Sequence, residues 1–260
     1  MSYLTNAPFR RPRGWIMAMD WDDLLFLHWN VDADSLRRRI PAGLELDLFE
    51  GRAWIGVVPF RMTGTRPRFI PRLPGLSDFP ELNVRTYVRR GAMPGVWFFS
   101  LDAANPFAVR GARRFFHLPY FDAEMRVERP GPEPDRLGIP DGRPLSDNAE
   151  ISYQSRRTHR DAPAAEFRAR YAPTGPAYRA AQGTLDDWLT ARYCLYAADP
   201  EGNILRCDIH HKPWRLQPAR ADISLNTMAA PLGLDLSAQA PLLHFAAHTE
   251  VVAWMPELVT

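Results

Sequence analysis

Residues 81–88, Glu-Leu-Asn-Val-Arg-Thr-Tyr-Val, alternate polar and apolar side chains. A period of two marks a β-strand whose two faces meet different surroundings. Glu81, Asn83, Arg85 and Tyr87 share one face, and Leu82, Val84, Thr86 and Val88 share the other. A half-buried strand with its polar face in water satisfies this pattern. The next segment, Gly-Val-Trp-Phe-Phe-Ser-Leu, favours a different surrounding. With a hairpin around Arg90 to Pro94, a pairing such as Val88 with Val96 sets Arg85 and Tyr87 beside Trp97 and Phe99. Polar groups interleaved with aromatics are typical of a concave ligand site. Arg85, Asn83, Tyr87, Trp97 and Phe99 are therefore the expected ligand-binding residues. A register slip of one residue reverses the inference.

A helix follows with clear local chemistry. Asn105 is a natural cap, Pro106 suits the first helical position, and the helix must stop before Pro119. Its exit delivers Arg113, Arg114, His117 and Tyr120 to one place. Arg113 is a candidate for a ligand's negative end, and His117 and Tyr120 are candidates for moving protons. A solvated arginine and a hydrogen-bonded structural histidine are the plainer alternatives.

Strands dominate the rest. Met17–Val31 reads as a long or bent strand, and Asp32 or Asp34 can cap a short helix before Pro41. Residues 44–60 read as a hairpin about Glu50-Gly51. A Pro- and Arg-rich loop precedes Glu81 and is long enough to form a lid or rim. Residues 128–147 read as an excursion rather than a domain boundary, because strands of the same alternating style resume at residues 149–157 and 165–173. The expectation is one domain over residues 1–260, without internal repeats. The segment Arg192–His211 reads as a hairpin turning at Pro200-Glu201, with Cys194 and Cys207 facing each other as free thiols.

Composition narrows the chemistry. The chain has 32 basic and 30 acidic side chains, and all of the basic ones except Lys212 are arginine. Acids are scattered among the arginines, so no basic strip for nucleic acid is expected. No apolar run reaches membrane-spanning length, and the N-terminal residues lack the apolar core of a secretion signal. Two cysteines make no disulfide framework. A cytoplasmic protein follows, with no nucleic-acid or membrane partner; a homo-oligomer is compatible with the sequence.

Familiar catalytic motifs are missing: there is no Gly-x-Ser-x-Gly elbow, Gly-rich phosphate loop or Cys-x-x-Cys pair. His244, His248 and Glu250 share a strand face, but their spacing is not diagnostic of a metal. Neither a metal nor another cofactor is expected. His210 and His211 point to opposite faces, so at most one enters a shared site.

The order of segments resembles the YqjF-like family of domains of unknown function. The resemblance is carried by HW-V with LR--IP-GL-LD and AW-GVVPF, by ELNVRTYV and GVWFFSLDA, and by ARRFF-LPY, YQSRR, RYCLY and H-x-PW. It runs from about Trp15 to Asn226. That family in turn is similar, distantly, to acetoacetate decarboxylase. The resemblance implies an α+β, β-dominated fold: a closed or nearly closed antiparallel sheet, cone or barrel, with a few peripheral helices around a small-molecule cavity. It sets Glu81 where the decarboxylases place an active-site glutamate. It sets Tyr120 and Phe121 where they place two lysines, the first of which forms a Schiff base at a lowered pKa. A phenol forms no imine, and Lys212 lies beside Pro213 in a segment where exposure is the norm.

The expected function is a pocket for a small carbonyl compound or organic acid. Two classes stay open, with a structural or interaction role behind them. One is an enzyme using acid–base rather than Schiff-base chemistry through Glu81 with Tyr120 or His117. The other is a ligand-binding or sensing protein without turnover.

Overall fold

Alternation of buried and exposed side chains builds thirteen strands and three short helices in the computed structural model, which describes residues 14–130 and 150–259. The strands are β1 (Met17–Val31), β2 (Glu45–Leu46), β3 (Ala53–Pro67), β4 (Phe79–Arg90) and β5 (Met93–Ala103). After them come β6 (Tyr120–Glu128), β7 (Ile151–Arg157), β8 (Glu166–Pro173), β9 (Cys194–Ala198) and β10 (Ile204–His211). The last are β11 (Gln217–Asn226), β12 (Leu242–Ala253) and β13 (Glu257–Leu258). Helices α1 (Ala33–Arg37), α2 (Pro106–Phe115) and α3 (Leu185–Thr190) fill connections. Among the described residues no helix is long and apolar enough to cross a membrane.

Nine strands close into a barrel in the order β1-β3-β4-β5-β6-β7-β8-β11-β12. All seams are antiparallel except β5–β6, where α2 supplies the crossover that a parallel pair needs. The barrel has a second compartment because two strands divide one edge between two partners. β5 pairs with β9 through Val96–Trp97 and with β6 through Leu101–Ala103. β12 pairs with β10 through Val251–Ala253 and with β11 through His244–Phe245. The β9–β10 hairpin thus bridges β5 to β12 and closes a second ring, β1-β3-β4-β5-β9-β10-β12.

The strands β1, β3 and β4 form a partition between the rings, and their alternation assigns side chains to one ring or the other. Leu25, Leu27, Ile55, Val57, Leu82 and Val84 pack into the nine-strand barrel with Tyr153, Phe167 and Tyr171. Leu24, Phe26, Val58 and Phe60 face the second ring. A bulge in β1 at Asp23, which sits at φ 53, shifts the parity. Met17, Met19 and Trp21 therefore face the same ring as Leu24 and Phe26. Arg61 holds the Asp23 carboxylate at 2.7 Å. The Tyr153 hydroxyl lies 3.1 Å from the Phe60 carbonyl and 2.6 Å from that of Glu81, bracing the partition from the barrel side.

The helix caps follow the sequence. Asp32 accepts from the Ser35 amide at 2.7 Å, and Asn105 accepts from Phe107 and Ala108 at 3.0 and 3.1 Å. Three expectations need correction. Glu50-Gly51 does turn, but β2 pairs with β4 rather than with β3. In the β4–β5 hairpin Arg90 faces Met93 and Val88 faces Gly95. Gly91 at φ 57 makes the two-residue turn that fixes this register. In the β9–β10 hairpin Cys194 faces Asp208 and Cys207 faces Leu195. The cause is a longer loop: the Asp199 amide donates to the Asn203 carbonyl, with Gly202 at φ 86 between them. Both thiols are free and buried. The expected excursion falls largely on residues 131–149, outside the described residues, as do the N-terminal residues 1–13. The strands flanking the excursion, β6 and β7, pair directly.

Candidate functional site

The second ring encloses a cavity of about 480 Å³. Its walls come from β1, β3, β4, β5, β9, β10 and β12, and one end is covered by α2 and the loop between β3 and β4. Asn105 ties these last two together: its Nδ2 donates to the Leu76 carbonyl at 2.7 Å while its Oδ1 caps α2.

β4 contributes a row of polar groups down one wall. Glu81, Asn83 and Arg85 all line the cavity. About 3.3 Å of rise per residue sets the first and last about 13 Å apart along the strand. Glu81 is 2% exposed and accepts a hydrogen bond at 2.8 Å from the hydroxyl of Tyr120, the first residue of β6. Burial raises the Glu81 carboxyl to about 8; the Tyr120 bond opposes this and the nearby Asp102 carboxylate adds to it. Glu81 thus keeps its proton for most of the time at neutral pH. Burial, together with the Glu81 carboxylate, lifts the Tyr120 phenol well above its ordinary value. Asp102 is held by Arg157 at 2.7 Å, both side chains being out of solvent.

The inner end is cationic. Arg85 stands over the Phe26 ring at 5.5 Å, forms no ion pair with any carboxylate among the described residues, and its Nε has no hydrogen-bond partner. Arg192, just past α3, is anchored by Asp47 at 2.6 Å and lies over Trp188 at 4.3 Å. Its Nη2 remains without a partner. The Asn83 Oδ1 and the Trp21 Nε1 are also buried without partners. His211 lines the same region, and burial pushes its imidazole down to about 4, so it is neutral there. Deeper still, the Tyr87 hydroxyl meets His28 Nε2 at 2.7 Å. Burial, then Arg85 and His244, push His28 well below its ordinary range.

The structure therefore gathers Glu81, Asn83, Arg85 and Tyr120 on one cavity, and separates the other expected site residues from it. Tyr87 keeps the face of Arg85 but lies beneath the floor, 4.7 Å from the Trp188 ring. Trp97 and Phe99 point away. Trp97 packs beside Val88 and Cys194, and Phe99 joins the barrel core. The turn at Gly91 puts Val96 and Phe98 on the cavity instead. A bulge opposite Val84/Arg85 then restores Leu101 to the same side. Arg113 donates to the Tyr120 carbonyl at 2.8 Å and lies over Phe121, outside the cavity. His117 is a left-handed linker residue at φ 53 and does not line it either.

Lys212 is exposed and pairs with Glu250 at 3.6 Å. His244 pairs with Asp186 at 3.0 Å and His248 with Asp22 at 2.7 Å, so these histidines and Glu250 serve three different partners. Among the described residues no group of three or more His, Cys, Asp or Glu is placed to hold a metal. Arg192, His211, Trp214 and Trp21 are the site residues that sequence patterns did not single out. Only the opposite facing of His210 and His211 hinted at one of them.

Known proteins resemble this chain in sequence and in fold. The family model DUF2071, an uncharacterized conserved protein, matches residues 18–250. The uncharacterized protein YqjF of Bacillus subtilis (strain 168) is 45% identical over 240 residues, covering 92% of this chain and 91% of its own. Among solved structures, the enduracididine biosynthesis enzyme MppR complexed with pyruvate is similar with a TM-score of 0.64 and 11% identity, over 94% of this chain and 90% of that one. An acetoacetate decarboxylase-like enzyme from Sphingomonas wittichii RW1 is similar with a TM-score of 0.61 and 14% identity, over 94% of each chain. At such identities the likeness is one of fold.

Proposed function

This chain belongs to the DUF2071 family, and from that membership and the cavity's geometry we propose that it binds a small organic acid or carbonyl compound and acts on it by acid–base chemistry. One observation carries the reading: Arg85 brings a guanidinium to an internal cavity and forms no ion pair with any carboxylate among the described residues. A guanidinium in low dielectric calls for an anion, and a ligand carboxylate fits its fork of donors.

Glu81 supplies the chemistry. Carrying a proton near neutrality, it can donate to a ligand's carbonyl oxygen; once ionised it can take a proton from the adjacent carbon. Tyr120 holds one of its oxygens and leaves the other to the cavity. Among the described residues the cavity offers no amine for an imine route, since Lys212 points to solvent. The pyruvate named with one structural neighbour is a small keto acid, which supports the ligand class. We place the protein in the cytoplasm, where its two buried free thiols stay reduced.

The test is calorimetric titration with a panel of small carboxylates and ketones, followed by NMR of any bound ketone in deuterated water. Arg85→Met should weaken a carboxylate ligand roughly 10- to 100-fold, the loss of a charge-assisted hydrogen-bonded contact. Deuterium exchange next to the carbonyl, lost in Glu81→Gln with binding retained, is the expected signature of turnover. Binding without exchange or conversion would favour a sensing protein. Carboxylate binding that is indifferent to Arg85→Met would overturn the proposal.

A further inference from the structure

We infer that the ligand is an amphipathic acid: a carboxylate seated at Arg85, carrying an apolar chain that runs past Glu81 and leaves through the mouth between α2 and the β3–β4 loop. This inference rests on the Arg85-anchored reading above and adds the rest of the molecule.

Three observations support it. The first is volume. At about 30 Å³ per water the cavity has room for roughly 16 waters. A four-carbon keto acid would fill a minor part of that space and leave the remaining water against apolar walls.

The second is order. Cationic groups sit at the inner end, the Glu81–Tyr120 pair sits partway up with Phe60 at its level, and above them the walls are Met62 and Phe79. Phe79 lies six positions before Arg85 on β4, about 20 Å away at strand rise. A guest matching that sequence is anionic at one end, has a polar or carbonyl group next, and ends in hydrocarbon.

The third is the mouth. Ile70, Leu73, Leu76, Phe107 and Phe115 line the cavity and are also exposed, Phe107 to 74% and Phe115 to 60%. Large apolar side chains are normally scattered singly over a surface; a cluster of them marks a site where something apolar is met. Here the cluster is continuous with the interior, so its occupant is the far end of the molecule that enters.

The experiment is calorimetric titration of the full chain with straight-chain carboxylates from acetate to decanoate, beside the matching primary alcohols, below micellar concentrations. Each added methylene should tighten binding roughly fourfold until the chain reaches the rim, from ~0.8 kcal/mol per buried methylene. Acids should bind better than alcohols of equal length, and that preference should vanish in Arg85→Met. The double variant Leu76→Ser/Phe107→Ser, altered only at exposed positions, should reduce the gain for the longest acids. Met255→Ser, exposed but outside the cavity lining, should not.

Affinity that is flat with chain length while short acids still need Arg85 would overturn this inference and leave the reading of the anchor intact. A chain-length gain shared equally by alcohols would uphold the apolar path and overturn the anchor. Binding by no member of either series would overturn both.

Discussion

Replacing Glu81 by glutamine should make the protein progressively more stable than its parent as pH rises. The carboxyl is 2% exposed, and burial lifts it from 4.5 to about 8. An acid whose folded pKa lies above its unfolded pKa binds protons more tightly in the folded state. Its contribution is greatest below 4.5, is lost as pH rises toward 8, and is absent above that. At 1.36 kcal/mol per pKa unit, the wild-type chain gives up about 3 to 4 kcal/mol between pH 5 and pH 8 that the glutamine variant keeps. For a chain of 260 residues the unfolding entropy is about 0.5 kcal/mol/K, so the difference in Tm should widen by roughly 6 °C. Glutamine keeps the oxygen that receives the Tyr120 hydroxyl, so packing is little disturbed. The assay is differential scanning calorimetry of both proteins across that range. All other titrating groups are common to the pair, and the difference isolates Glu81. A constant difference in Tm would refute the reasoning, since it would mean that Glu81 titrates in the fold as it does in water. A narrowing one would mean that the fold stabilises the charged form.

Two further outcomes can be checked. Asp102→Ala strands the Arg157 guanidinium in the interior and should cost about 3 to 5 kcal/mol in denaturant unfolding; a loss below about 1 kcal/mol would show that the pair is not a buried one. Incubation with acetoacetate and borohydride should leave the intact mass unchanged, because the one lysine, Lys212, is exposed and paired with Glu250; a stoichiometric adduct on Lys212 would contradict this.

Local chemistry was readable wherever it decides the structure by itself. The alternation from Glu81 to Val88 fixed a strand and its two faces, and Asn105-Pro106 fixed the start of α2. What failed was register. Whether Trp97 or Phe98 meets the cavity depends on one turn at Gly91 and one bulge beyond it, each decided by backbone angles that a neighbouring residue scarcely signals. Cys194 and Cys207 missed each other for the same reason, through a loop one residue longer at Gly202. Arg192, His211 and Trp214 were illegible for a different reason. They join Arg85 only because β9 and β10 bridge β5 to β12, a closure made between segments far apart in the chain.

The partition formed by β1, β3 and β4 has a consequence for how such a protein can change over generations. Neighbouring residues on these strands answer to different demands: Leu82 and Val84 to the packed barrel, Glu81, Asn83 and Arg85 to the cavity. The pleat acts as an insulator. A substitution at Glu81, Asn83 or Arg85 can change the lining of the cavity while Leu82 and Val84 go on securing the fold, so the cavity can be altered one residue at a time without loosening the core. The reverse also holds: repacking the barrel side can raise or lower stability without changing which groups face the cavity. Chains built on such a wall have room to vary the lining of the cavity while the architecture persists.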